Sequence, residues 1–94
     1  MAEAAGKPID FSEVARRFSE HAELAARLAA GSEEFRGLCE DHALAVATLR
    51  RLEQGAQFAD QPRLAEYRHV VLELEREIAS AIARARVDDI LDRK

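Results

Sequence analysis

The strongest constraint on this chain is an apolar seam in its third quarter. Leu64, Tyr67, Val71, Leu74, Ile78, Ala81 and Ala85 recur at alternating steps of three and four residues. That period marks a helix packed lengthwise against other helices. Two upstream segments repeat it: Phe11, Val14, Phe18, His21, Ala25 and Leu28, then Phe35, Leu38, His42, Ala45, Leu49 and Leu52. The expected fold is all-α: a three-helix antiparallel bundle, an αα-hairpin plus a longer third helix, with a core that oligomerisation can complete.

Start and stop signals set the expected bounds. Residues 1–8 read as a flexible N-terminus and 9–94 as one helical domain. Asp10 followed by Glu13 resembles a capping box, so the first helix is expected over about 11–30. Gly31 suits a left-handed C′ position, and Ser32 suits the N-cap of a second helix over about 33–54, with Glu33 and Glu34 in its first turn. Arg50 and Arg51 favour its last turn. A loop follows from Gly55, with Asp60 or Gln61 as cap and Pro62 opening a third helix over about 62–92.

Folding the first two helices back at Gly31-Ser32 pairs positions equidistant from the turn. Phe11 then meets Leu52, Val14 meets Leu49, Phe18 meets Ala45, His21 meets His42, Ala25 meets Leu38, and Leu28 meets Phe35. Each seam position finds a seam partner, and Phe18 with Ala45 and Ala25 with Leu38 match large to small. The third helix mirrors the second in the same way, His42 falling opposite Leu74 and Phe35 opposite Ala81.

Charge and cysteine content exclude several function classes. The net charge is −4, and a nucleic-acid partner needs a basic face for its phosphates, so none is expected. The single cysteine, Cys39, rules out an internal disulfide and fits a reducing, cytoplasmic setting. The first ten residues hold no long apolar run, so no signal peptide is expected, and no stretch reads as a membrane span.

Few residues suggest chemistry. His21 and His42 fall in one layer, which suits either a metal- or pH-responsive site or a polar layer that sets helix register. A metal site needs further ligands, and Glu73 or Glu75 would have to swing in beside Leu74. Glu66 and His69 form a Glu-x-x-His pattern, but without the second copy that di-iron bundles carry. Cys39 and His42 lie one turn apart. The acids Glu40 and Asp41 would raise the thiol pKa, so a buried structural cysteine is expected rather than a nucleophile. A helix-turn-helix reading of the first hairpin would present Glu33 and Glu34 to phosphates, which repels them. No catalytic residue and no cofactor is expected.

The C-terminal stretch departs from the pattern. Arg84, Arg86, Arg93 and Lys94 make a small basic cluster that Asp88, Asp89 and Asp92 largely neutralise, with Arg84–Asp88 at ion-pair spacing. Past Ala85 the core-facing positions become those three aspartates, while Val87, Ile90 and Leu91 turn to another face, with Leu72 on the same side. Either the helix breaks near Arg86 or this tail packs on something outside its own hairpin. An overhang with large apolar side chains reads as a partner-binding element; the plain alternative is a frayed amphipathic terminus. The expected function is thus a non-catalytic, self-associating interaction module: an adaptor, regulatory or small accessory subunit with a protein partner.

The stretch Phe35, Leu38, Cys39-Glu40-Asp41, Ala43, Leu49 and Glu53, with Glu66-Tyr67 and Glu73-Leu74-Glu75, resembles small bacterial all-helical proteins of unassigned function. Those carry a Leu-Cys-Glu-Asp-Tyr stretch, and this chain has His42 in place of the tyrosine. The resemblance implies helices and supplies no activity.

Overall fold

A computed structural model describes residues 11–55 and 61–92, and every described element is helical. Helix α1 spans Ser12–Arg17, a 3-10 turn covers Ser19–His21, and α2 spans Ala22–Gly31. Helix α3 spans Glu33–Gln54 and α4 spans Gln61–Asp92. The architecture is a small all-α bundle with antiparallel α2–α3 packing. Its most extensive contact joins α3 to α4, and α1 and α2 lie against that pair.

The α2–α3 turn obeys the sequence signals, with one change. The Ser32 hydroxyl caps α3 by accepting from the Phe35 N–H at 3.1 Å, while the Ser32 N–H donates to the Leu28 carbonyl at 2.8 Å. Ser32 thus ends one helix and begins the next. Its extended backbone makes the turn, so Gly31 keeps a negative φ and does not use the left-handed region expected of it. The expected caps at Asp10 and Asp60 lie outside the described residues; Gln61 and Pro62 do open α4.

The first segment is not the continuous helix expected over 11–30. Phe18 takes φ −118° and ψ 48°, α1 closes with the Phe18 N–H on the Val14 carbonyl, and His21 departs from helical geometry before α2 begins. Phe18, Ser19 and His21 are middling helix formers, so the local cost of breaking there is small. A 3-10 turn has three residues per turn rather than 3.6, so the helix beyond it starts on a different phase. The buried residues of α2 are Ala25, which the expected seam includes, and Ala29, with Leu28 half-buried beside them.

One contact agrees with the hairpin register. The Arg50 guanidinium meets the Glu13 carboxylate at 2.7 Å, and these two positions are equidistant from the Gly31-Ser32 turn. The core joins Val14, Ala25 and Ala29 to Phe35, Cys39, Ile78 and Ile82. Two of these widen the expected seams. Cys39 is fully buried although it borders its seam, and Ile82 is buried beside the seam residue Ala81. Both result from three-body packing, because α1 and α2 lie to one side of the α3–α4 pair and cover positions that a simple two-helix seam leaves out.

Helix α4 is unbroken through Asp92. Its 32 residues extend about 48 Å, against about 33 Å for α3. His42 on α3 faces Glu75 on α4, which places the start of α3 level with residues near 83. The last turns of α4 therefore project past the Gly31-Ser32 turn. Of the two alternatives for the tail, a break near Arg86 is excluded.

Candidate functional site

Two features could carry function: a buried polar layer and the exposed faces of α4. The layer is built on His42, whose side chain is 1% exposed. Its Nε2 lies 3.0 Å from Glu75 Oε2, and the Arg17 guanidinium donates from Nε to Glu75 Oε1 at 3.2 Å. Three elements meet here: Arg17 ends α1, His42 lies mid-α3 and Glu75 mid-α4. Glu75 is one position beyond Leu74, the expected partner of His42, and it faces the side of α4 that α1 covers. The carboxylate that would have had to swing in therefore does reach the imidazole. The other ring nitrogen, Nδ1, is buried without a hydrogen-bond partner.

The second histidine of the expected layer, His21, ends the 3-10 turn and is half-buried, and Glu75 of α4 is the hydrogen-bond partner of His42. Among the described residues, no three His, Cys, Asp or Glu side chains are grouped to hold a metal ion. Arg17, Glu75 and His42 form a polar link between three elements.

The remaining chemical candidates resolve simply. Cys39 is buried, and desolvation pushes its thiol up to about 11, with the Glu40 carboxylate adding to the shift. A thiol so placed stays protonated at neutral pH and is a poor nucleophile. His69 is solvent-exposed and lies 3.6 Å from Glu73, while Glu66 is exposed. The Glu-x-x-His pattern thus decorates a solvated face. Glu33 and Glu34 are exposed at the start of α3, as the capping signals require. Arg84 and Asp88 form no ion pair in the structure despite their spacing.

The four residues expected to bind a partner are all exposed: Leu72 by 51%, Val87 by 55%, Ile90 by 58% and Leu91 by 58%. On the unbroken α4 they spread over an arc turned away from the core. Leu72 and Ile90 lie five full turns apart on one line, with Val87 and Leu91 to one side of it. Asp89 is half-buried in the position where the seam would continue.

The structure adds two residues to this set. Leu44 on α3 is 65% exposed and Val70 on α4 is 42% exposed. They flank a groove of about 530 Å³ between α3 and α4, floored by Ala45, Tyr67 and Leu74. A second groove, of about 540 Å³, runs between α3 and the C-terminal part of α4, along Phe35, Leu38, Ala81 and Arg84. The first lies where α1 and α2 leave the α3–α4 pair uncovered, and the second is also bordered by Leu28 of α2 and by Ser32. The available sequence signal was that Leu44 and Val70 are large apolar residues placed beside the seam residues Ala45 and Val71.

No helix among the described residues is long and apolar enough to cross a membrane. Comparison with protein-family models, curated proteins and solved structures found no match. The resemblance to small bacterial helical proteins therefore rests on the residues between Phe35 and Glu75 alone.

Proposed function

We propose that this chain is a non-catalytic helical interaction module, an adaptor, regulatory or small accessory subunit, that self-associates and contacts protein partners through the exposed face of α4. One observation carries the reading: Leu72, Val87, Ile90 and Leu91 are each more than half exposed on one helix, three of them on turns that project beyond the bundle. Isolated exposed apolar residues are ordinary, whereas a cluster along one helix marks a contact surface. The single cysteine supports a reducing, cytoplasmic setting.

The test combines sedimentation with circular dichroism. Val87→Glu with Leu91→Glu should reduce self-association and leave helical content intact, because neither side chain belongs to the core. Unchanged association with lost helicity would place the tail in the fold instead and sink the reading.

A further inference from the structure

We propose that a second copy of this chain lies antiparallel along α4, on the face open to the two α3–α4 grooves. This rests on the self-association proposed above and adds the occupant, its direction and its register.

The starting point is a second three-and-four pattern on α4, distinct from the core seam: Val70, Glu73, Glu77, Ser80, Arg84, Val87 and Leu91. The pattern spans about 30 Å of helix. Every one of these residues is exposed. Glu73 and Glu77 border the groove beside Leu44, and Glu77, Ser80 and Arg84 border the groove beside Leu38. Glu77 borders both, so this seam runs along the edge of each groove.

The order of residues along the seam selects the partner. The N-terminal half carries the acids Glu73 and Glu77, the C-terminal half carries the base Arg84, and both ends are apolar. A parallel copy would stack Glu73 and Glu77 on their own counterparts and Arg84 on Arg84, which is repulsive at each level. In an antiparallel helix pair, seam positions equidistant from a two-fold axis face each other. With the axis between Ile78 and Ala79, Val70 meets the partner's Val87 and Glu73 meets the partner's Arg84. Glu77 meets the partner's Ser80, whose hydroxyl can donate to the carboxylate. Symmetry makes each of these layers occur twice.

The side chains are free to do this. The side chains of Arg84 and Glu77 make no ion pair or hydrogen bond with any described residue. Glu73 is held only by exposed neighbours, Arg76 at 3.0 Å and His69 at 3.6 Å, contacts that solvent keeps weak. One layer is mismatched: Leu91 falls opposite the partner's Glu66. Leu44, exposed at the edge of the first groove, borders the approaching helix and loses exposure on association.

Charge reversal and site-directed crosslinking test the register. In sedimentation at low salt, Glu73→Arg and Arg84→Glu should each raise the dimer dissociation constant by about tenfold, since symmetry applies each change twice. The double variant should restore wild-type affinity, because the pair is rebuilt with its signs exchanged. Val70→Cys and Val87→Cys proteins should form a disulfide-linked dimer when mixed under oxidation, and neither should do so alone; the native Cys39 is buried and does not compete. Helical content, read by circular dichroism, should stay constant throughout, as all four sites are exposed.

A crosslink in either cysteine variant alone, or a double charge variant no tighter than the single ones, overturns the antiparallel register. If either occurs while Val87→Glu with Leu91→Glu still abolishes association, the exposed face of α4 remains the contact surface and only this register fails. A wild-type chain that stays monomeric at its highest soluble concentration refutes both the register and the self-association beneath it.

Discussion

Replacing His42 by leucine should stabilise the fold, and removing its partner should do the reverse. His42 is buried with Nε2 held by Glu75 and Nδ1 unpartnered. A buried polar atom without a hydrogen bond costs about 1–3 kcal/mol. His42→Leu removes that cost, fills a similar volume with an apolar side chain, and gives up one hydrogen bond worth about 0.5–1.5 kcal/mol. Glu75 keeps its Arg17 contact and 15% of its side-chain surface in solvent, so it is not stranded. The expected net effect is a gain of about 1 kcal/mol. Glu75→Ala acts oppositely, leaving both ring nitrogens of His42 buried and unpaired at a cost of about 2 kcal/mol. For a domain of this size the two variants should differ in Tm by roughly 10–20 °C. Urea unfolding of both single variants and the double variant gives the coupling between the two residues. A loss of more than about 2 kcal/mol in His42→Leu would mean that the imidazole is fully satisfied and structurally required, refuting the argument from the unpartnered nitrogen.

Two further predictions concern the core. Ile78→Ala should cost about 2–5 kcal/mol because Ile78 is fully buried, while Ile90→Ala on the exposed tail should stay within about 0.5 kcal/mol; comparable losses in urea would mean that the tail folds into the core. Cys39 should make stability fall as pH rises from about 9 to about 11, since its pKa is raised from an ordinary 9.0 to about 11 and the unfolded chain releases its proton first; a Cys39→Ala variant should lack that component of the alkaline limb, and a limb unchanged by the substitution would count against the burial argument.

The legibility of the fold in the sequence differs by element. The seams, the Ser32 cap and the Gly31-Ser32 hairpin come from local rules: apolar period, capping chemistry and the short reach of a tight turn. The register is legible because a two-residue turn leaves little slack, and the Glu13–Arg50 contact agrees with it. The exposure of Val87, Ile90 and Leu91 also comes from period alone, once α4 is continuous.

What the sequence by itself determined, then, is helices, their order, and which face of each is apolar. Only the tertiary structure decided the rest. It broke the first helix at Phe18, whose backbone leaves helical geometry at φ −118° and ψ 48° in a stretch of middling helix formers. It buried Cys39 and Ile82, which border their seams, because a third body covers that side. It set Glu75 against His42 and brought Arg17, at the end of α1, onto the same carboxylate. And it left Leu44 and Val70 in the open, because α1 and α2 cover only one side of the α3–α4 pair.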